Sequence, residues 1–150
     1  MAYYILNPEV PGGVGQDTII KPPSAGSYLP HVDVLHLVIS GWMGDDLLTS
    51  FPCFMVTNRL KHALEVSNLS GFKIAEMDVT IDPQLLMFPQ MAASWPLPEL
   101  HWLKIVGRAG TEDFGLTPLD APVSLVVSSL ALELLQKFQI KECEIVEYPQ

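Results

Sequence analysis

Two passages of this sequence, about 70 residues apart, carry the same features in the same order. Each has two spaced glycines, then an acid, then a β-branched residue followed by a hydroxyl residue. The matched positions are Gly41, Gly44, Asp46, Val56 and Thr57 in the first passage, and Gly107, Gly110, Asp113, Val127 and Ser128 in the second. The offset grows from 66 at the first glycine to 71 at the hydroxyl residue, within a turn and loop where insertions are tolerated. An internal repeat of this kind predicts a duplicated structural unit.

Each passage predicts the order strand, Gly-turn with Asp, strand, capped helix, strand. In the first, the runs 34–39 and 51–56 are rich in β-branched and aromatic residues, and 72–79 alternates in polarity. Thr57 is expected to cap a helix to about Val66, its hydroxyl accepting from an N–H of the first turn. In the second passage, 103–106, 125–127 and 143–148 are the strands, and Ser128 is the cap. We therefore expect an α+β fold with few helices, in which the two repeats share a mainly antiparallel sheet.

Prolines divide the chain into regions. Five of the 13 lie in the first 30 residues and four in 81–99, so 1–33 is expected to be irregular with one short strand at 3–6. Gly12-Gly13-Val14-Gly15 is interpreted there as a flexible turn. Residues 34–150 are expected to form one domain of two repeats, 34–80 and 100–148, joined by 81–99. That joining segment is apolar as well as proline-rich, so it either packs on the core or presents an apolar patch to a partner.

Composition narrows the function classes. The chain has 150 residues, 49% of them hydrophobic, which excludes global disorder. Its formal net charge is −9 and its pI about 4.6, which argues against nucleic acid or an anionic membrane as ligand and favours a basic partner. The sequence has no basic leader and no long apolar run, so we expect a cytoplasmic protein with reduced Cys53 and Cys143.

Signatures of catalysis are missing from the sequence. The four histidines, His31, His36, His62 and His101, have no second His or acid at ligand spacing on the same element. The chain also lacks a Gly-x-Ser-x-Gly elbow and a paired-cysteine metal motif. We therefore predict no enzymatic activity, no cofactor and no metal.

The acids of the two turns allow two interpretations. A short acid in a Gly-bounded turn can accept hydrogen bonds from backbone N–H groups of its own loop. Alternatively, the turn acids form a surface that meets a basic protein, with exposed tryptophans as apolar anchors. On that second interpretation the candidate partner-binding residues are Trp42, Asp45, Asp46, Trp95, Glu112 and Asp113.

Several of these motifs together resemble the immunity proteins of bacterial polymorphic-toxin systems, of the Myxococcus type. The resemblance covers about residues 35–148. Its motifs are Gly44-Asp45-Asp46-Leu47, Phe54-Met55-Val56-Thr57-Asn58-Arg59-Leu60 and Leu69-Ser70-Gly71-Phe72 in the first half, with Gly107-Arg108-Ala109, Asp113-Phe114-Gly115-Leu116 and Leu125-Val126-Val127-Ser128 in the second. Such proteins often carry Ser-Glu-Arg at the helix start, where this chain has Thr57-Asn58-Arg59.

The resemblance implies a small cytoplasmic protein that binds a cognate toxin domain and blocks it without catalysis of its own. The cognate domain is expected to have a basic surface. An adaptor or chaperone for a secreted effector is the alternative, and it would expose a broader apolar surface, for which 85–97 is the candidate. An enzyme would need a pocket with convergent polar groups, which the sequence does not predict.

Overall fold

The described residues form a mostly β fold with three short helices. The structure, a computed structural model, describes residues 2–21, 31–87, 99–117 and 123–149. The strands are β1 (Tyr3–Asn7), β2 (Gly12–Val14), β3 (Ile19–Lys21), β4 (His31–Val34), β5 (His36–Ile39), β6 (Leu47–Ser50), β7 (Cys53–Thr57), β8 (Phe72–Ala75), β9 (Asp78–Ile81), β10 (Leu100–Ile105), β11 (Phe114–Leu116), β12 (Leu125–Ser128) and β13 (Glu144–Glu147). The helices are α1 (Asn58–Val66), α2 (Pro83–Leu86) and α3 (Ser129–Leu135).

Two four-stranded antiparallel sheets form most of the described structure. We call the sheet of order β6-β7-β10-β8 the two-sided sheet, and the sheet of order β11-β12-β1-β13 the terminal sheet. A three-stranded sheet β2-β5-β9 and a two-stranded sheet β3-β4 complete the described strands. Among these strands only the β5–β9 pair is parallel.

The expectation of one sheet shared by two repeats is wrong, because the strands lie in several sheets. Strand β10, predicted in the second half of the chain, lies between β7 and β8 of the first half. Strand β1 lies in the same way between β12 and β13. The chain therefore enters α1 and α3 from the strand on one side of an inserted strand and returns to the sheet on its other side.

The two-sided sheet has a hydrophobic core on each face. Successive residues alternate between the two cores, as the period of a strand requires: Leu47 and Val56 face one, whereas Leu48 and Met55 face the other. The first core also receives Leu6 and Leu125 of the terminal sheet. The unbroken apolar run 53–56 in β7 follows from this burial on both faces.

The N-terminal residues contain more regular structure than expected. The strand predicted at 3–6 is confirmed as β1, but β2 and β3 lie in residues that we expected to be irregular. Gly12 belongs to β2 rather than to a flexible turn, and a Cβ built on it would lie 1.8 Å from the carbonyl oxygen of Val38 on β5. Glycine at position 12 therefore permits the close approach of the β2 and β5 backbones, although a run of glycines is more typical of a turn.

Strand boundaries differ from the expectation at three other places. The run 34–39 is divided at Leu35 into β4 and β5, and the run 72–79 is divided at 76–77 into β8 and β9. Strand β6 was not predicted. It pairs with β7 from Leu47 to Ser50, so the chain after Asp46 continues directly into a strand.

The two predicted helix caps have different outcomes. Ser128 precedes α3, and its Oγ accepts from the N–H of Ala131 at 3.1 Å, as predicted. Thr57 occupies the same position before α1 but makes no side-chain cap bond. Its hydroxyl donates to Oδ1 of Asp46 instead, so the predicted partner of Thr57 is wrong.

The joining segment 81–99 is only partly described. It begins with α2, whose first turn is capped by Asp82 accepting from the N–H of Gln84 at 2.9 Å. Residues 88–98, which include Trp95, lie outside the described residues, so the two interpretations of this segment stay predictions. No helix in the described ranges is long and apolar enough to cross a bilayer.

Candidate partner-binding surface

Asp45 connects the loop before β6 to the loop before β13. Its side chain is fully buried, and its two carboxylate oxygens accept from the backbone N–H groups of Lys141 at 3.0 Å and Glu142 at 2.7 Å. These donors lie far along the chain, whereas the sequence predicted bonds within its own loop. Asp45 therefore positions the residues that lead into β13.

Asp46 is a second buried acid, and it is the centre of a cluster of hydrogen bonds. Oδ1 accepts from Nε of Arg59 at 2.7 Å, Oδ2 accepts from Nη2 of Arg59 at 2.6 Å, and Oδ2 also accepts from the N–H of Gln139 at 2.8 Å. Burial raises the pKa of Asp46, but the hydrogen bonds from Arg59, Thr57 and Gln139 outweigh it and hold the pKa below its ordinary value. Asp46 is therefore a structural anion that ties the start of α1 to the loop after α3.

Asp113 makes a comparable set of bonds in the second half. Oδ1 accepts from the hydroxyl of Ser128 at 2.6 Å, and Oδ2 accepts from the N–H of Ser70 at 3.0 Å. Each of the two acids thus binds the residue before a helix of its own half and the loop after the helix of the other half. Glu112, next to Asp113, accepts from the N–H of Arg108 at 2.6 Å and closes its own turn.

Glu9 is a buried acid that the sequence analysis did not single out. Its carboxylate accepts from the N–H groups of Met43 and Asp45, and burial raises its pKa above the ordinary value of 4.5 despite those two bonds. A single glutamate after a proline carries no sequence signal for this role. Glu9 therefore fixes the loop that contains Asp45, and Asp45 in turn positions the residues before β13.

The acidic surface expected from the turn acids is not formed by Asp45 and Asp46, because both are buried. Glu112 and Asp113 are half-buried and use their oxygens within the chain. Trp42 is also half-buried; it packs on the second core and donates from Nε1 to the carbonyl of Asp45 at 3.0 Å. The described residues contain no group of three His, Cys, Asp or Glu that could hold a metal ion.

One group of exposed acids lies on and before β13. All four residues of this strand are exposed, in the order Glu144, Ile145, Val146, Glu147, and Glu142 just before it is exposed as well. Ile145 is 36% and Val146 44% exposed. This strand combines exposed carboxylates with exposed aliphatic side chains, a composition suited to contact with a basic protein.

An apolar cleft opens on a separate part of the surface. It is lined by residues of β1, β7 and β12 together with Val10 and Phe51 at its mouth. Phe51 is 67% and Val10 64% exposed, so two large apolar side chains stand free beside an apolar depression. Exposed clusters of this type mark contact sites.

Comparison with known proteins gives no match: no family model, curated protein or solved structure is similar to the chain.

Proposed function

We propose that this protein is an immunity protein, which binds the cognate toxin domain of a bacterial polymorphic-toxin system and inhibits it by protein–protein contact alone. The motifs that resemble this class support the proposal, and so does the net charge of −9. Charge of one sign speeds the encounter with an oppositely charged partner. Fast encounter matters to an inhibitor that must reach its toxin before the toxin reaches its target.

The exposed strand β13 is the observation that carries the proposal. Its two glutamates and two aliphatic residues are accessible. Asp45 and Asp46, which we expected in the binding surface, bind the backbone of the residues that lead into this strand. Asp45 and Asp46 fix the N–H groups of residues 139, 141 and 142. On this proposal they are positioning residues, and Glu142, Glu144 and Glu147 meet the partner.

We also propose that the chain arose by duplication of one unit. Two observations support this: Asp46 and Asp113 each bind a hydroxyl before a helix and an N–H after the other helix, and β10 and β1 each lie between the strands that flank a helix. The equivalent inserted strands are then β1 and β10. This places β1 inside the repeated unit, beyond the repeat limits of 34–80 and 100–148 expected from sequence.

Co-expression tests the function directly. The full chain is co-expressed in a bacterial host with the toxin domain encoded beside its gene, and growth and a 1:1 complex by light scattering are measured. We expect the wild type to restore growth, Glu144→Lys/Glu147→Lys to lose protection, and Glu76→Lys/Asp78→Lys, with the same charge change at exposed positions elsewhere, to keep it. If the wild-type chain neither restores growth nor forms the complex, the proposal is wrong.

The adaptor or chaperone function remains the second candidate, and the apolar cleft at Val10 and Phe51 is the observation that favours it. An adaptor would bind its effector outside the toxic domain and leave the activity intact. Substitution of Phe51→Ser then separates the candidates: it should abolish effector binding by an adaptor, and it should leave toxin neutralisation through β13 unchanged.

A further inference from the structure

We propose that the outer edge of β13 binds an extended basic segment of the partner by strand addition, so that the terminal sheet gains a fifth strand. The identity of the partner as a toxin rests on the proposed function. The mode of binding and the chemistry of the segment rest on the structure of β13 itself, and each can be tested separately.

Strand β13 is the last strand of the terminal sheet among the described residues, with β1 on one side. Tyr148, just after the strand, donates its N–H to the carbonyl of Tyr3 at 2.9 Å. Backbone groups of an antiparallel strand point alternately to its two sides. The N–H and C=O groups of Ile145 and Glu147 therefore point away from β1, where an added strand would pair with them.

The opposite edge of the same sheet differs from β13. Leu116 of β11 forms a bridge with Arg108 outside the sheet, and a Cβ built on Gly115 would lie 2.3 Å from the carbonyl carbon of Arg108. The chain itself therefore covers β11. Of the two edges of the terminal sheet, only that of β13 is left to a partner by the described residues.

The side chains of β13 specify what the added strand must carry. Ile145 lies opposite Leu6 and Glu147 opposite Tyr4, so Ile145 and Glu147 share one face, and Glu144 and Val146 share the other. Each face thus presents one acid and one aliphatic residue. A complementary strand has the pattern basic–apolar–apolar–basic, which places one cation and one apolar side chain on each face.

A shallow apolar groove extends the contact on one face. Phe138, Ile140 and Ile145 form its apolar part, and Lys141 and two glutamines complete the lining. The loop that contributes Phe138 and Ile140 is held by the N–H bond of Gln139 to Asp46. An apolar side chain of the added strand next to Ile145 would cover this groove. Because the loop is already fixed, little ordering is needed on binding.

Charge disfavours the pairing of β13 with β13 of a second copy of this chain. Residues 142–149 contain three glutamates and neither Lys nor Arg. Two copies paired at this edge would bring the four carboxylates of Glu144 and Glu147 together at the spacing of adjacent strands, and like charges across a strand pair are destabilising. A basic strand neutralises the same carboxylates.

Designed hairpins serve as the probe. A peptide hairpin with a D-Pro-Gly turn presents Lys-Val-Ile-Lys on its outer strand, and its binding to the full-length chain is followed by amide chemical shifts and hydrogen exchange. We expect shifts concentrated at residues 144–147 and slowed exchange at Ile145 and Glu147. A Glu-Val-Ile-Glu hairpin should bind at least about tenfold more weakly, and so should the Lys hairpin with N-methyl groups on its outward N–H positions.

A matched pair of variants separates backbone pairing from charge. Glu147→Gln removes the charge and should weaken binding of the Lys hairpin about fivefold to tenfold. Glu147→Pro also removes the outward N–H, which is compatible with an edge strand, and should weaken binding about tenfold more than Glu147→Gln. Both variants should keep the wild-type unfolding midpoint within a few degrees.

The outcomes distinguish this inference from the proposed function. No shift at β13, equal binding of the N-methylated hairpin, equal binding by the two Glu147 variants, or a dimer of the free chain at this edge would each overturn strand addition. Toxin neutralisation that persists in Glu147→Pro would also overturn it while leaving the immunity function intact. Hairpin binding at β13 without toxin neutralisation would support strand addition and contradict the immunity function.

Discussion

At the scale of single residues, the buried acids determine how the loops are held. Asp46 is 1% exposed and receives two bonds from Arg59 and one from Gln139. Asp46→Asn keeps the shape but replaces one acceptor oxygen with an NH₂ group that faces a donor. Because Asp46 is buried but the Arg59 side chain is 64% exposed, we expect a loss of about 2–3 kcal/mol in the free energy of unfolding, measured with urea. Asp113→Asn, at a half-buried position, should cost about 1 kcal/mol, and equal losses would contradict the difference in burial.

The pH dependence of stability should separate Asp46 from Glu9. The pKa of Asp46 is lowered, so its contribution is present above its ordinary value of 3.8 and is lost as the pH falls through the folded pKa. The pKa of Glu9 is raised, so its ionisation reduces stability as the pH rises through and above 4.5. Urea unfolding from pH 3 to 7 should therefore show the gap between wild type and Asp46→Asn widening with pH. The gap between wild type and Glu9→Gln should narrow.

Residue types in the sequence indicated which turn positions matter, but not their partners. The pairing of Asp46 and Asp113 as equivalent acids came from spacing alone, and each does accept a bond from the hydroxyl residue that was matched with it. The donors from Gln139 and Ser70 were not predictable, because they depend on which loop the folded chain brings near. The prediction that the side chains of Asp45 and Asp46 are exposed is wrong for the same reason.

At the scale of elements, the close approach of β2 and β5 requires glycine at position 12 but not at position 13. A Cβ on Gly12 would meet the carbonyl of Val38 at 1.8 Å, whereas a Cβ on Gly13 would meet nothing within 4 Å. We expect Gly12→Ala to destabilise the chain by about 1–3 kcal/mol through forced separation of the two strands. Gly13→Ala, its matched control, should be neutral or slightly stabilising. Thermal unfolding measures both, and an unchanged midpoint in Gly12→Ala would contradict the close pairing.

The sequence predicted the positions of the strands more accurately than it predicted which strands pair with each other. Local apolar runs placed β1, β7, β10, β12 and β13 within a few residues of their observed limits. The insertion of β1 between β12 and β13 joins residues at least 119 positions apart, and no local pattern encodes such a pairing. The same holds for β10 between β7 and β8, and it is why one shared sheet was expected where several form.

At the scale of the whole molecule, the inserted strands β1 and β10 make each half of the chain depend on the other. The first core contains Leu6, Leu47 and Leu60 from the first half and Leu103 and Leu125 from the second. A fragment ending within 88–98 lacks β10, which leaves β7 and β8 without the strand between them. The complementary fragment lacks β1, which leaves β12 and β13 separated.

Neither fragment should therefore fold alone, and mixing them should restore the fold. Dispersed amide signals and a cooperative urea transition are expected only for the mixture, because only the mixture closes both sheets and the first core. The intact chain should give coincident transitions by tryptophan fluorescence and far-UV circular dichroism. A cooperative transition in either fragment alone would show that its sheet is stable without the inserted strand, and would contradict the dependence of each half on the other.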